Sequence, residues 1–144
     1  MTWDEIEIGF SVQTDHYRMT QQEIVEFAGQ YDPQAMHTDV EAARGGPFGE
    51  LTASGWHTLA ITMRLMALAR PFGSTPLIGV GVRDVHFRRP VRVDTRLYVE
   101  AEVIDKRPSR KSERGFVTMK VVTREHPAGQ PVLQQTWTVL VPTA

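Results

Sequence analysis

The chain has 144 residues, a formal net charge of -1 and no cysteine. This length fits one domain, residues 1–144, with a sizeable core, and the near-neutral charge favours neither nucleic acid nor an anionic membrane as a partner. Without cysteine the chain has no disulfide, no thiolate metal site and no cysteine nucleophile. The first residues show neither the basic nor the apolar segment of a signal peptide, so a cytoplasmic location is expected.

The first part of the chain is predicted to be extended and then helical. Gly9–Met19 mixes apolar and polar residues in a way that is typical of a strand or an extended lead-in. Thr20 and Glu23 have the spacing of a capping box, in which each side chain accepts a hydrogen bond from the backbone N–H of the other residue. The helix that begins there is predicted to end near Gln30, because Pro33 disfavours a helical residue before it.

A short helical piece over Val40–Ala43 and a glycine-rich loop, Arg44–Gly49, lead to the most apolar stretch of the chain. From Leu59 to Ala69 only two residues, a threonine and an arginine, are polar. A helix that is apolar nearly all round is expected to be buried, and this one is too short to cross a membrane. We therefore predict one long core helix that begins after Ser54 and ends before Pro71.

The second half of the chain changes from helical to strand periodicity. Four segments are rich in β-branched and aromatic residues, namely Leu77–Phe87, Arg96–Ile104, Gly115–Arg124 and Val132–Val141. Within the second and third, polar and apolar residues alternate as in half-buried strands. A tight hairpin turn is predicted at 126–131. One buried helix followed by several long strands indicates the α+β class. The architecture that fits best is a curved, mostly antiparallel sheet wrapped around one long central helix. Because an open sheet edge favours pairing with another copy, a homodimer or a higher assembly of dimers is expected.

Asp32 and His37 are the first candidates for chemistry. They lie five residues apart in an irregular segment after the first helix, where a carboxylate and an imidazole can converge. Such a pair suits general acid–base catalysis with a bridging water. On spacing alone, the alternative is that Asp32 stabilises a local turn and that His37 makes a local hydrogen bond.

Ser54 and Gly55 are the second candidates, because they open the core helix. A backbone N–H at a helix N-terminus can stabilise an oxyanion or enolate, and a glycine there lets a ligand approach. The alternative is that Ser54 is only the N-cap and Gly55 only a packing residue. Trp56 and Met63, on the same helix, are candidates for an acyl pocket or for ordinary core.

Two further groupings are weaker. His37, Asp39 and His57 contain metal-ligating side chains, but they lack the helical spacing of known zinc motifs, so no metal site is predicted. The basic run Lys106–Lys111 and the pair Arg88–Arg89 are either phosphate-binding or part of solvated turns.

Several motifs together resemble the MaoC-like dehydratases, which are relatives of the (R)-specific enoyl-CoA hydratases. The segment Phe27–Asp39 is similar to their helix ending in Phe-Ala, which is followed by the pattern Asp-x-Asn/x-Pro-x-His-x-Asp. The likeness continues through Phe48-Gly49 and Ala53–Gly55. It resumes at Phe87–Val91 and at Val93–Leu97, so it spans most of the chain in the same order.

This resemblance implies a hot-dog fold, a dimeric assembly and reversible hydration of a trans-2-enoyl thioester. Asp32 and His37 would match the pair that holds the water, and Gly55 would match the glycine whose N–H holds the thioester oxygen. Ser54, Trp56, Met63 and Arg88 are the expected substrate-binding residues. Coenzyme A would arrive as part of an acyl-CoA substrate, with no separate cofactor and no metal.

The chain departs from the family pattern at the residue that supports the catalytic aspartate. Family members often carry a helical serine for this purpose, and Met63 stands at that position here, with Thr58 and Thr62 nearby. Two other functions compete with a hydratase on this fold. One is an acyl-CoA thioesterase, in which a carboxylate activates water against the thioester carbonyl, and the other is a non-catalytic acyl-binding subunit.

Overall fold

The computed structural model describes residues 1–111 and 113–144. Its helices are α1 to α4, at Gln21–Tyr31, Ala35–Thr38, Val40–Arg44 and Gly55–Ala69, and a 3-10 turn at Trp3–Glu5 precedes them. Its strands are β1 to β6, at Ser11–Gln13, Tyr17–Arg18, Ile78–Phe87, Arg96–Pro108, Arg114–His126 and Gln130–Pro142. No helix in this part of the chain is long and apolar enough to cross a membrane.

The six strands form one antiparallel sheet in the order β1-β4-β5-β6-β3, and β2 pairs with β4 beside β1. The long hairpins β4–β5 and β5–β6 form its centre, and β3 forms one edge by pairing with β6. Register shifts interrupt the β3–β6 pairing at two places, which is typical of a sheet that bends. The predicted curved antiparallel sheet is therefore confirmed.

Helix α4 lies across the concave side of the sheet, as predicted. Its side chains Ile61, Leu65 and Met66 are buried in one core with strand residues such as Val99 and Val121. The helix ends where Arg70 adopts a left-handed conformation, with φ of 48°. The predicted boundaries are correct to within a residue because an apolar helix stopped by proline is a local signal.

The expectation that α4 is buried nearly all round is wrong for the single chain. Trp56 is 66% exposed, Met63 39% and Leu68 66%, so the helix keeps an open apolar side. The sheet can cover only the face of a helix that it touches, and α4 turns the face carrying His57, Ile61 and Leu65 inward. The remaining side faces away from the core.

The predicted capping box of α1 is only half formed. Thr20 Oγ1 accepts from the Glu23 N–H at 3.3 Å, as predicted. The Glu23 carboxylate does not return the bond, because Oε1 accepts from the Tyr17 hydroxyl at 2.8 Å instead. The tyrosine belongs to β2, so a tertiary contact replaces the local one.

The predicted strands Arg96–Ile104 and Gly115–Arg124 are also too short, since β4 continues to Pro108 and β5 runs from Arg114 to His126. Lys106 Nζ lies 4.3 Å from the ring centroid of Trp3. Arg107 Cζ lies 4.2 Å from that of Phe116. Lys106 and Arg107 therefore belong to β4 and pack against neighbouring aromatic rings. They are half of the basic residues in the run Lys106–Lys111.

Candidate active site

Asp32 is fixed where α1 ends. Its backbone N–H donates to the Ala28 carbonyl at 2.9 Å and closes the last turn before Pro33. Its side chain accepts two hydrogen bonds, from Gln34 Nε2 to Oδ1 at 2.6 Å and from Ser54 Oγ to Oδ2 at 2.7 Å. The carboxylate is therefore held in one orientation from both sides.

These bonds set the charge of the carboxylate. Hydrogen bonds from Gln34 and Ser54 lower the pKa of Asp32 from its ordinary value of 3.8, and they outweigh the opposing effect of partial burial. His37 lowers the pKa further through its proximity. Asp32 is consequently a carboxylate at neutral pH.

His37 is placed by the short helix α2 and is 5% exposed. Its Nδ1 lies 2.5 Å from the carbonyl oxygen of Thr52, in the chain that approaches α4. A carbonyl can only accept, so Nδ1 carries the hydrogen, and in the neutral ring Nε2 presents a lone pair. That lone pair faces Asp32, with Nε2 3.6 Å from Oδ2.

The gap between these two atoms is the main chemical feature of the site. Both atoms are hydrogen-bond acceptors, and 3.6 Å is too long for a direct hydrogen bond. A water molecule placed beside them can donate one hydrogen to Asp32 and the other to His37. The arrangement can therefore orient a water and accept a proton from it.

Gly55 supplies the backbone donor of the site. In the first turn of α4, Trp56 N–H donates to Ser54 Oγ, and His57 and Thr58 N–H donate to the Ser54 carbonyl. Within residues 1–111 and 113–144 the Gly55 N–H has no such partner. It points from a helix N-terminus, where the helix dipole favours negative charge.

The absence of a side chain at Gly55 has a reason that the sequence did not suggest. A Cβ there would lie 2.6 Å from Cε1 of Phe87, because the Phe87 ring rests on this part of the backbone. Real Cβ atoms do not come so close to another heavy atom. The position requires glycine for the packing of Phe87, in addition to any ligand that approaches the N–H.

One cavity of about 450 Å³ brings these groups together. Its lining includes Asp32, His37 and Gly55, as well as Trp56 and Arg88 from the predicted set. The Arg88 side chain is exposed and its Nε donates to Gln134 Oε1 at 2.9 Å. Met63 does not line this cavity but lines a neighbouring apolar one, so its role as a substrate-binding residue stays a prediction.

Ser54 supports the carboxylate of Asp32, a role for which the sequence analysis found no serine at the expected helical position. It is fully buried, caps α4 by accepting from Trp56 N–H at 3.2 Å, and donates to Asp32. The expected helical position, Met63, is 39% exposed on the open side of the helix. Support for the aspartate therefore comes from the N-cap of α4 and not from its third turn.

The three residues of the discarded metal hypothesis lie against different partners. Asp39 caps α3 by accepting from the N–H groups of Glu41 and Ala42. The His57 ring stacks on Phe27 with centroids 4.5 Å apart. Only His37 lines the cavity with Asp32 and Gly55.

Four contacts of the site were missing from the sequence prediction: Gln34 and Ser54 on Asp32, Thr52 on His37, and Phe87 on Gly55. Gln34 is two residues from Asp32, so its contact with Asp32 could have been predicted from the turn-forming sequence. The other three contacts join residues that are distant in sequence, and nothing in their local pattern indicates the contact.

A long helix wrapped by an antiparallel sheet defines a hot-dog protein, and here one cavity is lined by a carboxylate, an imidazole and the glycine that begins the helix. The family model described as "MaoC like domain" matches residues 5–125. The chain belongs to the MaoC-like domain family. This confirms both the hot-dog fold and the family resemblance found in the sequence.

Similar proteins agree with this assignment. A MaoC-like dehydratase from Rhodospirillum rubrum has a structure that superposes with a TM-score of 0.93 at 35% identity, covering 100% of this chain and 98% of that one. The uncharacterized protein YdeM of Bacillus subtilis is 37% identical over 85% of this chain and 86% of its own length. The 3-hydroxyacyl-thioester dehydratase Z of Mycobacterium tuberculosis is 35% identical over 64% of this chain and 62% of its own length.

Proposed function

We propose that this protein is a hydro-lyase that interconverts a trans-2-enoyl thioester and the corresponding 3-hydroxyacyl thioester. The observation that carries the proposal is the pair of acceptors, Asp32 Oδ2 and His37 Nε2, 3.6 Å apart in the cavity that also contains Gly55. The similarity to a protein named as a 3-hydroxyacyl-thioester dehydratase supports the same chemistry.

In the hydration direction, a water held by Asp32 and His37 adds through its oxygen to C3 of the enoyl group. His37 Nε2 takes a proton from this water, and the Asp32 carboxylate stabilises the resulting imidazolium. The C2–C3 double bond opens, and its electron pair moves to the thioester as an enolate. The imidazolium then protonates C2, which completes the addition of one water and restores the neutral ring.

The enolate intermediate requires a donor at the thioester oxygen, and Gly55 is suited to that role. Its N–H begins α4, so the positive end of the helix dipole lies behind it. Charge develops on the oxygen only as the reaction proceeds, so this donor contributes more to the transition state than to substrate binding. The carboxylate and imidazole thus orient and deprotonate the water, while the Gly55 N–H donates a hydrogen bond to the thioester oxygen.

The substrate carries the only cofactor-like group in this proposal. Coenzyme A would enter as part of an acyl-CoA thioester, with no metal and no permanently bound cofactor. Arg88 and Arg89 border the cavity and offer guanidinium groups to the phosphates of such a substrate. Trp56 lies at the same opening, where its exposed ring can cover the thioester portion.

A homodimer that pairs through the β3 edge is part of the proposal. In the first half of β3, the apolar side chains of Ile78, Val80 and Val82 are half-exposed in the single chain, at 47%, 52% and 58%. An edge strand with apolar, solvent-facing side chains favours pairing with another edge. A second copy there would also cover the open side of α4.

The deciding experiment is to mix the purified protein with crotonyl-CoA and to follow two signals at once. Loss of the enoyl absorbance without free thiol indicates a hydratase. Release of thiol indicates the competing thioesterase, which this fold also supports. Stabilisation of the protein by crotonyl-CoA without either signal indicates an acyl-binding subunit and contradicts the proposal.

A further inference from the structure

Strand β3 carries one residue more than its partner β6 in the stretch that leads to the candidate active site. Arg83 of β3 pairs with Thr136 of β6. Three residues further along β3, His86 pairs with Gln134, which is only two residues further along β6. The extra residue forms a β-bulge, and Asp84 lies inside it with φ of 54°. Bulges of this kind are frequent beside active sites, where they redirect a side chain.

Asp84 is suited to the backbone conformation of the bulge. A positive φ is uncommon outside glycine, and aspartate and asparagine tolerate it better than other residues do. A β-branched residue there would be strained and would favour an extended strand. The ion pair between Arg83 Nη1 and Asp84 Oδ2, at 3.3 Å, joins side chains that are 64% and 65% exposed, so it contributes little. The conformational preference of Asp84 is therefore its main contribution to β3.

The bulge determines which side chain of β3 faces the core. Successive residues of a strand point to opposite faces, so one extra residue reverses the alternation for every residue after it. With the bulge, Phe87 lies opposite Leu133, whose side chain is fully buried. In a regular continuation from Arg83, His86 would lie opposite Leu133 instead. The bulge therefore places an aromatic ring, and not an imidazole, on the inner face.

The Phe87 ring reaches the candidate active site. Its Cε1 would lie 2.6 Å from a Cβ at Gly55, so the ring packs directly on the backbone that begins α4. Phe87 also lines the cavity that contains Asp32 and His37. An apolar ring beside the Gly55 N–H keeps water away from one side of this donor. Exclusion of water strengthens the interaction of such a donor with developing negative charge.

We propose that Asp84 is a positioning residue of the candidate active site, because its left-handed backbone takes up the extra residue of β3 and turns Phe87 toward Gly55. The inference rests on the proposed function, in which the Gly55 N–H donates to the thioester oxygen. Asp84 does not line the cavity and acts only through the direction of the Phe87 ring. His86 remains exposed on the outer face of the strand.

The first measurement does not depend on turnover. Nuclear Overhauser effects between the Phe87 ring protons and the Gly55 α protons report the contact directly. We expect them in the wild type and in Asp84→Gly, because glycine adopts a positive φ without strain. They should be lost in Asp84→Val, because valine favours an extended backbone and shifts the pairing by one residue. Their absence from the wild type, or their retention in Asp84→Val, would overturn the inference.

The second measurement is the hydration of crotonyl-CoA. Asp84→Val should lower kcat about tenfold with a smaller change in KM, because the Gly55 donor acts mainly in the transition state. Addition of His86→Phe to Asp84→Val should restore most of kcat, since the shifted strand then presents a phenylalanine on the inner face. A merely structural role for Asp84 predicts no such rescue, so a double variant as slow as Asp84→Val would contradict the proposal.

Asp105→Val is the matched control. It makes the same change at an exposed residue of β4 that has no positive φ. Both kcat and the contact between Phe87 and Gly55 should stay at the wild-type level. A similar loss in Asp105→Val would show that the effect of Asp84→Val does not come from the bulge.

Deletion of Asp84 keeps the test decisive if Asp84→Val does not fold. Removal of the extra residue makes the pairing of β3 with β6 regular and leaves Phe87 opposite Leu133. The contact with Gly55 should therefore persist, and loss of the contact or of the fold would contradict the inference. A wild type that does not hydrate crotonyl-CoA would count against the proposed function alone, since the magnetic resonance signals still decide how Asp84 directs Phe87.

Discussion

Ser54 Oγ donates to Asp32 Oδ2 at 2.7 Å, so the residue that caps the central helix also holds the carboxylate of the candidate site. The same oxygen accepts from the Trp56 N–H. Gly55, whose N–H is proposed to hold the thioester oxygen, is the next residue. One hydroxyl therefore ties the position of the carboxylate to the start of the helix that supplies the oxyanion donor.

Replacing Ser54 with alanine should affect both stability and the pH profile. Loss of the N-cap is expected to lower the free energy of unfolding by about 1 kcal/mol. The hydrogen bond from Ser54 lowers the pKa of Asp32, so its removal raises that pKa. The acid limb of kcat/KM should then move to higher pH, because Asp32 becomes protonated at a higher pH than in the wild type.

Ser54→Thr provides the control for this prediction, since it retains the hydroxyl and should restore most of the wild-type profile. The measurement is kcat/KM for enoyl-CoA hydration across acid to neutral pH, with thermal unfolding in parallel. A Ser54→Ala profile identical to the wild type would show that the hydroxyl serves only as a helix cap.

Asp32→Asn and His37→Ala are expected to lower kcat for hydration by about 10²–10⁴-fold with the fold intact, because each removes an acceptor that orients or deprotonates the water. Circular dichroism and thermal unfolding check the fold. Asp15→Asn, at an exposed aspartate outside the cavity, controls for loss of one negative charge. Turnover within a few-fold of the wild type in either site variant would reject the assigned roles.

The sequence was sufficient to predict the elements that depend on local pattern. The start of α1 at Thr20, the extent of α4 and the four long strands follow from capping, apolar period and proline stops. The five-residue spacing of Asp32 and His37 gained meaning only with the family resemblance. Spacing alone equally suits a local turn.

The parts that the sequence could not predict depend on contacts with residues that belong to other structural elements. Ser54 reaches Asp32 across 22 positions. The Thr52 carbonyl meets His37 across 15 positions. Only half of the capping box of α1 forms, because the Glu23 carboxylate accepts a hydrogen bond from Tyr17 of β2. Local propensity carries no information about such partners, which only the packed fold brings together.

Gly55→Ala should destabilise the protein through Phe87. The new Cβ would lie 2.6 Å from the Phe87 ring, so the ring or the helix start must move. Overpacking of this kind costs about 1–3 kcal/mol. Phe87 itself is 54% exposed, so Phe87→Ala alone should cost less than truncation of a core aromatic.

The double variant Gly55→Ala/Phe87→Ala tests the cause of that loss. It should be more stable than the sum of the two single effects predicts, because the clash is absent once the ring is removed. Chemical denaturation of all four proteins gives the coupling energy. Additive effects would mean that the contact between Gly55 and the Phe87 ring does not limit this position.

His57 should make the folded protein less stable in mild acid. Burial lowers the pKa of His57 from its ordinary value of 6.5, with an opposing effect from Glu23. As the pH falls below 6.5 the unfolded chain takes up a proton that the folded chain excludes, so stability decreases toward acid and is fully present above that pH.

His57→Phe keeps an aromatic ring against Phe27 and removes this proton linkage. Its stability should therefore decline less than that of the wild type between about pH 7 and about pH 5. His86→Phe, at an exposed histidine, is the matched substitution. Denaturant unfolding at a series of pH values measures the effect, and parallel curves for His57→Phe and the wild type would contradict it.

Val80→Lys should disrupt the proposed dimer. Val80 is 52% exposed on the edge strand β3 and does not line the cavity that contains Asp32 and His37, so a lysine there adds a charge to the edge without altering the site. Ile8→Lys places the same charge at a side chain that is 63% exposed away from β3, and it should leave the assembly intact. Light scattering should give two chains of 16.3 kDa for the wild type and Ile8→Lys, and one chain for Val80→Lys. A wild-type mass of one chain, or an unchanged dimer in Val80→Lys, would show that the β3 edge is not the interface.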